Sequence, residues 1–205
     1  MKLKAINIVV LIGILYISFN SLYAQSISTG FQFGIGSSYI VENIESGSQF
    51  NYEPSFTTGF NFKYTPNEAY FGVKLNLLYV STTFNGLSFR NIPYDGEVSS
   101  ITTSLLLEHL NETKKWNWGY NFGMGITRED YATNSFFSNA SGIRNFMSIS
   151  VAGVLSYKIS EQSSLTLTPT ILWTDPINTF RFNHWYRGGE DASVLFQFGY
   201  TYQLN

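Results

Sequence analysis

The sequence predicts an all-β fold, an eight-stranded antiparallel up-and-down transmembrane β-barrel. Three observations point there. A strict alternation of large apolar and small polar residues recurs eight times along the chain. Charged residues make up only 13% of the sequence while aromatics reach 18%, against a usual charged share of about 25%. The large side chains on the alternating faces are also too many for a small barrel to hold inside. At roughly five per strand they number about forty, and an eight-stranded barrel has an interior just wide enough to be filled by side chains.

The first element is "MKLKAINIVVLIGILYISFNSLYAQS". Lys2 and Lys4 form a basic start, Ile6 to Phe19 is an apolar run, and Ala24 precedes Gln25. This order is that of a secretory signal peptide. The run falls short of the roughly 20 apolar residues of a membrane-spanning helix. The expected organisation is a signal peptide over 1–24 and one outer-membrane barrel domain over 25–205.

The strands follow in order, each with a period of two. "STGFQFGIGSSYIV" sets Phe31, Phe33, Ile35, Tyr39 and Val41 against Gly30, Gln32, Gly34, Gly36 and Ser38. "SFTTGFNFKY" sets Phe56, Phe60, Phe62 and Tyr64 against Thr57, Gly59, Asn61 and Lys63. "YFGVKLNLLY" sets Phe71, Val73, Leu75, Leu77 and Tyr79 against Gly72, Lys74, Asn76 and Leu78. "SSITTSLLLEHL" sets Ile101, Leu105 and Leu107 against Ser100, Thr102, Ser104 and Glu108. "WNWGYNFGMGI", from Trp116 to Ile126, alternates most sharply, with Gly119, Gly123 and Gly125 on the thin face. "MSISVAGVLSYK" and "SLTLTPTILW" repeat the pattern, the latter interrupted by Pro169. Pro cannot donate to a ladder, so a bulge or bend is expected there. "SVLFQFGYTYQL" closes the set. Short turns at 65–69, 111–115 and 160–164 alternate with long loops expected at Glu42–Pro54, Thr83–Glu97, Thr127–Asn145 and Asp175–Ala192.

The Gly, Ser, Thr, Asn and Gln face fits the narrow interior, so the aromatics must point out. An outward apolar belt of that size exceeds anything a soluble monomer exposes. Its solvent is lipid, where only helices and closed barrels satisfy the backbone. The expected location is the bacterial outer membrane, with short turns and both termini periplasmic and long loops outside. Tyr39, Tyr64, Tyr79, Trp116, Tyr157, Trp173 and Tyr202, at strand ends, are expected to form the interfacial girdles.

The third and fourth strands, "VKLNLLYVSTTFNG" and "SSITTSLLLEHL", resemble the paired strands of the PorT-like outer-membrane β-barrel domain family. That family carries an "ELLYS..G" segment followed by a "P-L-L-L-K-Y"-like strand. Here Asn76 stands at the acidic position, and Thr103 or a neighbour stands at the proline. The resemblance implies an eight-stranded outer-membrane barrel, and some members of the family are associated with protein secretion and gliding.

Four charged residues fall on the inward face: Lys63, Lys74, Glu108 and Lys158. Strands two, three and four are neighbours, so Lys63 and Lys74 both come within reach of Glu108. The expected role is an interior polar network that fills and locks the barrel rather than a selectivity ring, because eight strands leave no aqueous channel. A second candidate is the last long loop, "FRFNHWYRGGED". Arg181, His184, Trp185 and Arg187 there combine basic and aromatic character above the membrane. That suits phosphate groups of lipopolysaccharide or an envelope protein partner.

Several chemistries are excluded. With no Cys and two His, the chain offers neither a lipid-attachment cysteine nor a zinc-ligand spacing. No cofactor is implied. A net charge of -2 argues against nucleic acid. "GFQFGIG" and "GYNFGMGI" lack the helix a phosphate-cradling loop needs. A lipid hydrolase needs a Ser activated by a His, and neither His109 nor His184 sits in such a signature. The function read from sequence is therefore a small non-enzymatic outer-membrane barrel with a binding, structural or secretion-accessory role. A lipid-modifying enzyme and a lipocalin-like carrier are the alternatives.

Overall fold

In the computed structural model the described residues are 26–38, 49–66, 69–87, 91–111, 115–135, 139–176 and 191–204. The signal segment 1–24, Tyr39, and the loop residues Arg181, His184, Trp185 and Arg187 lie outside them. The strands are β1 (Ser26–Ser37), β2 (Gln49–Tyr52), β3 (Ser55–Thr65), β4 (Gly72–Leu87) and β5 (Pro93–Asn111), then β6 (Trp116–Ser135), β7 (Asn139–Lys158), β8 (Ser163–Thr174) and β9 (Asp191–Gln203). Each pairs antiparallel with its neighbours: β1 with β3 and β9, then β9–β8–β7–β6–β5 around the wall. Pairing of β5 with β4 closes the ring. Eight strands thus form a barrel without an edge, and β2 is a short addition on β4.

β2 and β3 are one strand interrupted at Pro54. From Tyr52 to Phe56 the chain advances four residues, while its partner goes from Phe84 to Ser81 in three. One residue is therefore extra, which is a bulge. The Glu53 N–H still donates to the Thr83 carbonyl at 2.9 Å.

Pro169 behaves differently. The pairs Ala152↔Thr170 and Leu155↔Leu167 keep one register, and only the rungs between them are missing. No residue is inserted, so the expected bulge is absent. The proline removes one N–H from an otherwise continuous ladder, and the Thr170 hydroxyl donates to the Thr168 carbonyl at 3.4 Å.

The faces are assigned by exposure. Met124 is 63% exposed and Ile35 64%, whereas Asn117 is 1% and Asn121 2%. On β6 the outward residues are Trp116, Trp118, Tyr120, Phe122, Met124 and Ile126, followed by exposed Arg128 and Asp130. The apolar part is eleven residues long. At about 3.3 Å per residue and a tilt of about 40° it stands about 25 Å tall, the height of a transmembrane apolar band. β7 turns polar in the same row, from Met147 to Asn145, and β5 one outward position further on, from Ile101 to Ser99. Tyr79 and Trp173 lie near this far row. Tyr64, Trp116, Tyr157 and Tyr202 ring the near end, where the termini and short turns lie. There Trp116 packs on Tyr157 with centroids 4.8 Å apart, and the Tyr202 hydroxyl donates to Gln162 Oε1 at 3.1 Å.

The expected long loops at Thr83–Glu97 and Thr127–Asn145 are mostly strand. β4 and β5 run paired to Leu87↔Pro93, and β6 and β7 to Asn134↔Asn139. Likewise β2 lies within the expected loop Glu42–Pro54. The reason is a change of solvent. Beyond the lipid neither face must be apolar, so the alternation ends while the ladder continues. Side chains inside this extension hold it: the Tyr131 ring lies over Gly142, and the Phe84 ring over Gly96.

The interior is not wholly polar. Leu78, Val80, Leu172 and Leu195 form a buried apolar cluster. Val80 and Leu172 of this cluster line a cavity of about 10 Å³ near the far end, and two cavities of about 50 and 60 Å³ lie near the other. The sequence places Leu78 on the thin face but gives no hint that it meets other leucines there.

The thin-face glycines of β6 stand where the neighbouring strand comes close. A Cβ on Gly123 would strike the Leu105 carbonyl and come within 2.8 Å of Leu106 Cα. Glycine there lets adjacent strands close up as a small barrel coils. Gly123→Val is expected to destabilise the folded barrel by about 1–3 kcal/mol through overpacking. Urea unfolding followed by Trp emission measures this, and an unchanged midpoint would refute the close-approach account.

Candidate functional site

Lys63 on β3 and Lys74 on β4 are direct cross-strand partners. Like charges placed opposite one another are destabilising, and both would be costly to desolvate alone. Glu108 on the next strand resolves this. It pairs with Gly72 of β4, two residues before Lys74 on the same face of that strand. Lys63 Nζ then donates to Glu108 Oε1 at 3.0 Å, and Lys74 Nζ to Oε2 at 2.9 Å. Asn121 Nδ2, from the β6 residue opposite Glu108, reaches Oε2 at 3.5 Å. Glu108 is 6% exposed. One carboxylate thus holds two ammonium groups, and strands β3, β4, β5 and β6 meet on it.

The network extends along the lumen wall. Gln32 Nε2 of β1 donates to Asn76 Oδ1 of β4 at 3.3 Å, beyond β3. Lys158 lies lower, at the near mouth, where it lines the 60 Å³ cavity together with Lys63 and Glu161. Its backbone N–H donates to the Lys115 carbonyl at 2.8 Å and ties β7 to the turn before β6.

A second charged group stands at the far mouth, in the strand extension. Arg144 Nη2 lies 3.1 Å from Glu129 Oε1, and Glu129 is 3% exposed. The Arg144 guanidinium sits 4.4 Å from the Tyr131 ring centroid and 5.9 Å from that of Phe146. Reading the sequence as loop hid this group. The signal was present in the period-two spacing of Glu129 with Tyr131 and of Arg144 with Phe146.

His109 is on the outer wall. Its Nδ1 is 2.8 Å from the Tyr70 carbonyl, and its ring stacks on Tyr70 at 4.0 Å between Phe71 and Tyr120. Such amphipathic rings suit a membrane boundary. The described contacts of this imidazole are with aromatic rings and a backbone carbonyl.

A closed ring, a lipid-compatible belt and a filled lumen define the class: a transmembrane β-barrel of eight strands. Among solved structures the chain is similar to Ail, the attachment invasion locus protein of Yersinia pestis, at 13% identity, covering 88% of this chain and 97% of that one with a TM-score of 0.46. It is similar to Neisserial surface protein A at 10% identity, with 87% and 96% covered and a TM-score of 0.47. It is also similar to the outer membrane protease OmpT of Escherichia coli at 11% identity, with 88% and 96% covered and a TM-score of 0.46. All three scores fall below 0.5, and the barrel of this chain is established by its own strand pairing. No family model matches the chain, and no curated protein does.

Removing one partner of a buried ion pair leaves an uncompensated charge and costs about 3–5 kcal/mol. Glu108→Ala is therefore expected to lower barrel stability by about that much while adding no conductance in planar bilayers. Replacing all three charges together (Lys63→Met, Lys74→Met and Glu108→Leu) is expected to restore most of the loss. Large single-channel currents from the unaltered protein would contradict a filled lumen.

Proposed function

We propose that this chain is a non-enzymatic protein of the bacterial outer membrane that braces the bilayer and presents a binding surface outside the cell. The observation that carries this reading is the outward apolar belt on a closed barrel. In water such a surface would aggregate, and in lipid it is the required exterior. An exported chain with a leader over 1–24 reaches that membrane from the periplasm. On this reading the near end and both termini are periplasmic, since bacterial barrels keep short turns on that side.

The binding surface is assigned to the far end, where β4 to β7 rise beyond the lipid row. The Arg144 group at the mouth and the basic, aromatic loop with Arg181, His184, Trp185 and Arg187 are its candidate residues. Lipopolysaccharide phosphates or an envelope protein are the partners suited to them. A secretion-accessory role, as in some PorT-like barrels, is the variant suggested by the resemblance of β4 and β5 to that family.

The expected outcome of fractionation is recovery with the outer membrane and, in detergent, different gel mobility for unboiled and boiled samples. Release into the aqueous fraction without detergent would overturn the reading. A depth series tests the belt itself. Phe122→Arg, at its middle, is expected to cost about 2–4 kcal/mol in lipid, and Asn145→Arg, above it, about 0–1. Equal costs at the two sites in vesicle refolding titrations would argue that this wall does not face hydrocarbon.

A further inference from the structure

We propose that the near-end vestibule of the barrel is a binding site for one small oxyanion of the phosphate type. The two near-end cavities, of about 50 and 60 Å³, share Ser28, Lys63, Ser156, Ser164 and Thr201 in their walls, and Lys158 lines the outer one. Three observations converge on them.

Charge is the first. Among the described residues the ionic side chains lining the two cavities are three lysines (Lys63, Lys74 and Lys158) against Glu108 and, at the exposed rim, Glu161. Inside, Lys63 and Lys74 divide one carboxylate between them, and their side chains are only 17% and 10% exposed. A positive charge held in a desolvated wall without its own counter-charge is costly, and a bound anion removes that cost.

Donor supply is the second. An ammonium has three N–H donors and no acceptor. Lys63 gives one to Glu108 and keeps others on the cavity side. The shared wall adds four hydroxyls, from Ser28, Ser156, Ser164 and Thr201. Ser28 is 5% exposed, and its Oγ is buried without a hydrogen-bond partner among the described residues. Buried polar atoms nearly always have one. A group that lines both cavities with unmet bonding capacity is placed for a ligand that accepts.

Size is the third. About 10–15 Å³ of such space holds one water, so each cavity takes about four. A tetrahedral oxyanion has five heavy atoms, which matches the space of either cavity beside their shared wall. The same volume is too small for a sugar or a nucleotide base, so a larger molecule enters with its phosphate end only.

The probe is inorganic phosphate, titrated into the full barrel folded in a maltoside detergent free of phosphate. Ionic strength is held constant with chloride, and binding is followed by phosphorus NMR. Every variant is used only after its unboiled gel band shows a folded barrel. The unaltered protein is expected to bind one equivalent. Lys158→Gln and Ser28→Ala each remove a donor to a charged acceptor, a loss of about tenfold or more in affinity. Arg128→Gln, outside and at the far end, is expected to bind as the unaltered protein does. A second arm with glycerol phosphate separates the sources: equal affinity means that the phosphate end of a larger molecule enters, and weaker binding means a free ion. Absence of binding by the folded barrel, or equal binding by all variants, overturns the site. Either result leaves the outer-membrane reading standing, because the folded band and the fractionation test that separately.

Discussion

In hydrocarbon an unpaired backbone N–H or C=O costs several kcal/mol, because no water can take its place. That constraint governs the structure. Every strand of the ring must have a neighbour on both sides, so β9 returns to β1 and β5 to β4. Closure at eight strands then sets a narrow lumen. The narrow lumen sets which face of each strand goes in, and the thin face wins because the thick one does not fit. Glycine at Gly123 and Gly119 follows from the same geometry, as adjacent strands approach where a Cβ would meet Leu105 or His109 backbone. Even Pro169 obeys it: the ladder loses rungs there but keeps its register.

The polar interior is the consequence that costs most. A face of Ser, Thr, Asn, Gln and Lys buried in a barrel must find partners within the barrel. Most of it does, as between Thr102 and Thr127, whose hydroxyl oxygens are 2.7 Å apart, or between Gln32 and Asn76. Charge is balanced less evenly. Glu108 answers Lys63 and Lys74 together, and it links strands that follow one another around the wall. The network therefore acts as an internal clasp at the near end, while Leu78, Val80, Leu172 and Leu195 close the far half by packing. Two unlike fillings, one ionic and one apolar, lie on either side of the middle of a single small lumen.

The far end obeys other rules. Past the row of Arg128 and Asn145 both faces of β5, β6 and β7 carry polar residues, yet the strands stay paired well beyond it, to Tyr94↔Ser135 and Asn134↔Asn139. With lipid gone, the extension is held by rings over glycines and by the Arg144–Glu129 pair beneath Tyr131 and Phe146.

The sequence by itself determined the solvent of this protein. Period-two alternation in eight segments, few charges and too many aromatics for the lumen are one-dimensional facts, and they suffice to turn Trp116 to Ile126 outward. It also placed Lys63, Lys74 and Glu108 on adjacent strands of one face, because antiparallel order follows from short turns. Only the tertiary structure decided the rest. That Glu108 takes both lysines depends on register, which sets Lys63 opposite Lys74 and Glu108 opposite the position two residues before Lys74. That Leu78 meets Leu195 depends on ring closure, which brings together residues 117 positions apart. That "TREDYATNS" is strand rather than loop depends on a partner strand, since outside lipid a ladder leaves no hydrophobic period in its sequence. What a strand shows to its solvent is written in its own residues; what it shows to the other strands appears only when the barrel closes.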